Sequence, residues 1–119
     1  MKENTINITL STSSSVANLK IITLEGIFDA FNCRQVDEKV LPLIEKEESN
    51  IVFDLSHIHY LSSTGIMCLL KYLVFLNDQK RFLKFVKPPK RVYTVLQDAG
   101  LSKKFDMYDN IDGAISTLR

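Results

Sequence analysis

The sequence predicts a single α/β domain: one mixed, mostly parallel β-sheet with about four helices packed on it. Three observations lead there. Short β-rich runs alternate with helical periods of about 10–15 residues, the pattern of βαβ units whose helices cover a parallel sheet. The first two β-rich runs are separated only by a serine-rich turn, so the chain opens with a hairpin and the sheet is mixed. The 119 residues are 45% hydrophobic, enough to bury one core and too few for a second domain of ordinary size, so residues 1–119 form one unit.

Each element has a local reason. Thr5–Leu10 (TINITL) alternates polar and apolar residues with period two, which marks a half-buried strand. Ser11–Ser15 (STSSS) is turn chemistry, since short hydroxyl side chains satisfy nearby backbone groups. Asn18–Leu24 is a second strand, apolar on both faces and therefore more central, and Gly26 breaks the run. Asn32–Glu45 carries Cys33, Val36, Val40 and Leu43 on one helical stripe. Pro42 within it removes a hydrogen bond and clashes with the preceding turn, a cost of about 3 kcal/mol, so a kink or early end is expected. Ile51–Leu55 is a third strand and Ser62–Leu76 the most apolar helix, with Ile66, Leu69, Leu70, Leu73 and Leu76 on its core face. Phe82–Val86 is a fourth strand, stopped by Pro88 and Pro89. Lys90–Ala99 is a helix with Val92, Val95 and Leu96 on one face and Gly100 at the C-terminal cap position. Phe105–Tyr108 is a short strand and Ile111–Leu118 a closing helix.

Composition narrows the function. Fifteen basic and fourteen acidic residues give a net charge of +1 without a block of one sign, which argues against a nucleic-acid partner. No stretch reaches the roughly 18 apolar residues of a membrane span. The opening MKENTINITL has no apolar signal-peptide run, so a cytoplasmic protein is expected. Cys33 and Cys68 lie in separate apolar segments and form no CxxC pair, and are read as reduced, packed thiols. His57 and His59 would share a face of an extended segment, but no carboxylate or cysteine lies close in sequence to complete a metal set. They are read as surface imidazoles on a loop, with no metal and no cofactor. GxGxxG, GxxxxGK[ST] and GxSxG are all absent, and nothing places a base beside a serine, so no enzymatic activity is expected.

The informative stretch is Asp54-Leu55-Ser56-His57-Ile58-His59-Tyr60-Leu61-Ser62-Ser63-Thr64-Gly65-Ile66. Three hydroxyl residues and a glycine stand between an apolar strand and an apolar helix. Such hydroxyls cap helices by accepting an unpaired backbone N–H of the first turn, and that alone accounts for one of them. The helix start also carries about half a positive charge, so it would tolerate a phosphate on Ser62, Ser63 or Thr64. Gly65 would let a partner approach the backbone closely. Met67, one turn on and off the core stripe, is a contact candidate, Lys71 is interleaved with it, and Phe75 is read as core.

These residues resemble the signature of STAS domains, in particular bacterial anti-sigma factor antagonists. Asp54-Leu55-Ser56 followed six residues later by Ser62-Ser63-Thr64-Gly65 is similar to that family's DLS, spacer and Asp-Ser-[Ser/Thr]-Gly-[Leu/Ile]. Gly26-Ile27-Phe28-Asp29 resembles its Gly-x-[Leu/Ile/Phe]-Asp turn. The Phe82–Val86 strand, the helix ending Asp98-Ala99-Gly100-Leu101 and the Phe105 strand follow in the family's order, so the likeness covers nearly the whole chain.

The resemblance implies a phosphorylation-switched binding module. Unphosphorylated, it would bind an anti-sigma factor that is also a serine-protein kinase and thereby free a sigma factor; phosphorylation would release it, and a protein phosphatase would reset it. By position the phospho-acceptor is Ser63, with Asp29, Ser62, Thr64, Gly65, Met67 and Lys71 on the partner-binding side. Ser62 replaces the family's Asp, which removes a charge beside the acceptor and leaves Ser62 and Thr64 as alternative acceptors. Asp29 is open to two readings, site lining or an ordinary cap before the helix at Asn32. The alternative function is a STAS scaffold or regulatory subunit of a stress-signalling or transporter assembly, without the switch. A phosphoryl-accepting receiver domain is set aside, because no acidic pair follows the opening hairpin and hydroxyls follow the third strand.

Overall fold

The chain builds one mixed five-stranded sheet in the order β1-β2-β3-β4-β5, in which β1 and β2 are antiparallel and β2 to β5 run parallel. This computed structural model describes residues 5–13 and 15–117. The elements are β1 (Ile6–Thr12), β2 (Leu19–Phe28), α1 (Cys33–Glu45), β3 (Asn50–Leu61), α2 (Ser63–Asp78), β4 (Leu83–Val86), α3 (Lys90–Asp98), β5 (Met107–Tyr108) and α4 (Ile111–Ser116). The α/β class, the opening hairpin and the four helices therefore stand as the periodicity predicts. Ser14 of the expected turn and Leu118 of the expected closing helix lie outside the described residues. Within the turn, Ser13 Oγ accepts the N–H groups of Ser15 and Val16, both at 3.2 Å.

Several local expectations are corrected. Gly26 does not end β2. The strand continues to Phe28 through a register shift against β3, and Gly26 takes φ +111°, a conformation that favours glycine. β3 is likewise long: it continues past Leu55 through His57 and His59, so those imidazoles are exposed on a strand and not on a loop. α1 does not stop early at Pro42. The proline lies in the last turn on the exposed side, so the one carbonyl that loses a donor, that of Glu38, belongs to an exposed residue which water can reach. On α3, Val92 and Leu96 are buried while Val95 is exposed. The strand expected over Phe105–Tyr108 is confined to Met107–Tyr108, and Phe105 is instead a core residue.

The parallel strands need cover on both faces, and period-two alternation supplies apolar residues to each. Ile51, Phe53 and Leu55 of β3 join Leu83 and Phe85 of β4 beneath α1, α2 and α3. A row of rings crosses that face: Phe53 stacks on Tyr72 (6.1 Å) and Phe85 (5.7 Å), and Phe85 on Phe105 (4.7 Å). Each fully buried Phe or Leu here contributes about 1.5–3 kcal/mol of transfer free energy. On the other face Leu19, Val52 and Val86 pack against Ala114 and Ile115 of α4. Asp54 is buried, its carboxylate accepting from the backbone N–H and the hydroxyl of Ser56 at 3.0 and 2.7 Å.

Two ionisable groups tie stability to pH. The Lys84 ammonium is pulled down by burial, but hydrogen bonds to Asp106 and to Tyr108 (3.2 Å) and the attraction of the Asp106 carboxylate outweigh this and hold it above its ordinary value. Burial pushes the Tyr72 phenol up, and donation to the Asp37 carboxylate pushes it further. A raised pKa in the folded state contributes stability that is complete below the unfolded value and lost as pH rises through the folded one. Stability should therefore fall on the alkaline side, starting near the ordinary values of 10.0 for a tyrosine such as Tyr72 and 10.5 for a lysine such as Lys84. Lys84→Met and Tyr72→Phe should each flatten that decline, as read from urea midpoints between about pH 8 and 11.

Candidate functional site

The hydroxyl cluster sits where the carboxyl ends of β2 and β3 meet, the place where open α/β sheets leave their loops to build sites. Parallel register pairs Phe28 with Leu61, the last residues of the two strands. The residues that follow, Asp29 and Ser62, are thereby brought side by side from positions 33 apart in sequence. The Ser62 N–H donates to the Phe28 carbonyl at 3.0 Å, which fixes the entry to α2.

Ser62 then caps α2, its Oγ accepting the Gly65 N–H at 3.1 Å from an extended backbone (φ −78°, ψ 169°). Ser63 opens the helix proper and is exposed, as is Thr64. No acidic residue lies in the first turn of α2 itself.

Gly65 serves the interior rather than a partner. It is buried, and a Cβ at this position would stand 2.6 Å from the Phe28 carbonyl oxygen and 2.9 Å from Leu61 Cδ1. The expectation that this glycine admits another molecule is corrected: the close approach is that of the protein's own β2 end.

Asp29 lies in a tight turn with Ala30, Phe31 and Asn32. Its Oδ1 accepts the Phe31 N–H at 3.0 Å, while its own N–H donates to Asn32 Oδ1 at 2.9 Å. The Asn32 amide also donates to the Ile27 carbonyl. Asn32, not Asp29, occupies the N-cap position of α1, so the reading of Asp29 as the helix cap is replaced by a buried turn-forming role beside Ser62.

Along α2, Ser63, Met67 and Lys71 recur at every fourth residue and form one exposed stripe. Met67 is 62% exposed, whereas Cys68, Leu69, Tyr72, Leu73 and Leu76 face the core and Phe75 is half-buried against it. Lys71 reaches α1, its ammonium 3.1 Å from each Asp37 oxygen, and Tyr72 donates to the same carboxylate. Its expected partner-side role is therefore shared with a clamp between α1 and α2.

Two features escaped the sequence reading. Phe31 is 86% exposed in the β2–α1 turn; an aromatic in a short connection, off both flanking periodicities, was the available signal. Cys33 and Cys68, expected as unpaired thiols, are joined in a disulfide between the first residue of α1 and the second turn of α2. Thirty-five residues separate them, and no local pattern brings them together. Among the described residues, the only candidate metal set is Cys33, Asp37 and Cys68, whose ligand atoms lie within 4.8 Å of one another. None of the helices of the described residues is long and apolar enough to cross a membrane.

A family model described as the STAS domain matches residues 7–114. BtrV of Bordetella bronchiseptica, named as a candidate anti-sigma factor antagonist, is 21% identical over 108 residues that span 91% of this chain and 93% of BtrV. The solved structure of the anti-sigma factor antagonist SpoIIAA in its unphosphorylated form superposes with a TM-score of 0.75 at 19% identity, covering 95% of this chain and 96% of that one. The Bacillus cell fate determinant SpoIIAA in its phosphorylated form gives 0.72 at 18% identity, covering 95% and 100%.

The geometry separates the four consecutive residues by role. Gly65→Ala should destabilise the fold by about 1–3 kcal/mol, because backbone must move to admit the methyl group. Ser62→Ala should cost about 1 kcal/mol through the lost cap. Ser63→Ala, at an exposed position, should stay within about 0.5 kcal/mol. Urea denaturation of the three variants checks the ranking, and a Ser63→Ala cost above that of Ser62→Ala would overturn it.

Proposed function

The chain belongs to the STAS domain family, and we propose that it acts as an anti-sigma factor antagonist whose binding is switched by phosphorylation at Ser63. In this reading the unmodified protein docks on an anti-sigma factor that doubles as a serine kinase and so frees a sigma factor in the cytoplasm. Phosphorylation ends the complex and a phosphatase restores it, and the protein itself carries out no catalysis.

The observation that supports this most is the division of labour at the start of α2. Ser62 does the capping, which leaves Ser63 exposed at the first helical position without that duty. A phosphate there meets the positive end of the helix and can be carried without disturbing the core. A docked partner experiences the reverse. About two added charges roughly 8 Å from one partner carboxylate, at an effective dielectric of about 20, are repelled by about 4 kcal/mol, roughly a thousandfold in affinity before salt screening. Met67 and Phe31 offer exposed apolar contact beside the charge, of the kind that carries interface energy.

A second reading rests on Ser62. With a serine where the family places an acid before the acceptor, the module could have lost recognition by a standard kinase and serve instead as a scaffold or regulatory subunit.

Incubation with ATP and the anti-sigma factor kinases of the same genome, followed by mass spectrometry, should place one phosphate within residues 62–64 and lose it in Ser63→Ala. Ser63→Glu, which adds one charge where a phosphate adds about two, should weaken the kinase complex by about 2 kcal/mol, roughly thirtyfold, at low salt. An unmodified protein whose complexes are insensitive to Ser63→Glu would select the scaffold reading.

A further inference from the structure

We propose that Cys33 and Cys68 are a reversible redox pair, a thiol–disulfide modification site that exchanges with low-molecular-weight disulfides and thiols and fastens the β2–α1 turn onto α2. Three features of the α1–α2 contact carry this. The two Cα atoms are 6.8 Å apart, within the span of about 4.4–6.8 Å that a disulfide crosses without backbone movement. Cys33 is partly exposed while Cys68 is buried, so one sulfur can be reached by a small molecule and the other is poised to resolve. The Asp37 clamp to Lys71 and Tyr72 holds the helices together independently of the sulfurs. The two thiols thus stay opposed after reduction, and the bond can close again.

Asp37 also explains why the pair is read as a dithiol and not as a metal site. Its oxygens lie near both sulfurs, but they already accept from the Lys71 ammonium and the Tyr72 hydroxyl. A cation there would have to displace or face a fixed positive charge.

In the oxidative direction the Cys33 thiolate attacks one sulfur of the small disulfide, forming a mixed disulfide and releasing one thiolate. The Cys68 thiolate then attacks the Cys33 sulfur, closes the protein bond and releases the second. Two electrons and two protons pass to the small disulfide, which leaves as two thiols; reduction reverses each step.

The closed bond joins the residue two after exposed Phe31 to the residue next to exposed Met67. Oxidation therefore stiffens the apolar flank of the Ser63 site. This holds whether or not Ser63 is phosphorylated.

The test equilibrates the full chain with graded mixtures of oxidised and reduced glutathione, quenches with acid, and counts alkylated cysteines by mass spectrometry. Both thiols should become protected together, with the singly glutathionylated form a minor species. The oxidised protein should melt roughly 10 °C above the reduced one, as expected for a closed loop of this length. Amide exchange over residues 30–33 should slow on oxidation. Cys33→Ser, which leaves the buried Cys68 intact, should keep a melting temperature independent of the glutathione ratio. Two free thiols under the most oxidising mixture, a stable mixed disulfide as the end product, or equal melting temperatures in the two states would each overturn the proposal.

Discussion

The Phe28 carbonyl is the point on which the site depends. It lies at the end of β2, pairs in register with the end of β3, and accepts the N–H of Ser62, the residue that caps α2. The same oxygen occupies the space that a side chain at Gly65 would need. One acceptor therefore sets both where the helix begins and how closely it lies on the sheet. A missing Cβ is the condition for that approach, which is a packing requirement and not a feature of the outer surface.

Given this anchor, the roles of adjacent residues diverge without further design. Ser62 is consumed by capping and Gly65 by packing, while Ser63 and Thr64 remain at the surface on the positive end of the helix. The helical period then extends the surface position along α2, through Met67 to Lys71, while the intervening residues fill the core. Beside it, the buried Asp29–Asn32 turn presents Phe31 outward. An exposed serine at the helix start and the exposed apolar side chains of Met67 and Phe31 arise from one strand pairing and one helical repeat.

The α1–α2 contact is fastened twice, by chemistry of different kinds. Asp37 gathers an ammonium and a phenol, and burial together with that hydrogen bond keeps Tyr72 neutral and donating well above the ordinary range of its pKa. The cysteine pair adds a covalent tie nearer the phosphorylation candidate. The electrostatic clamp responds to alkaline pH and the covalent one to redox state.

Sequence by itself determined the α/β class, the order of the elements, the hairpin and the hydroxyl-rich start of α2. These follow from periodicity and capping, which are local and leave their imprint on consecutive residues. The local reading overstated the breaking power of Gly26 and Pro42, because a bulge absorbs the first and an exposed last helical turn the second. It also stopped β3 too early, since Ser56–Tyr60 carries polar side chains that a strand edge tolerates once its neighbours are paired. Only the tertiary structure decided that Asp29 stands beside Ser62, that Gly65 faces inward, that Phe31 faces outward, and that Cys33 meets Cys68. Each of these depends on sheet register or helix packing between segments about 35 residues apart in sequence, and side-chain patterns within either segment carry no record of the other.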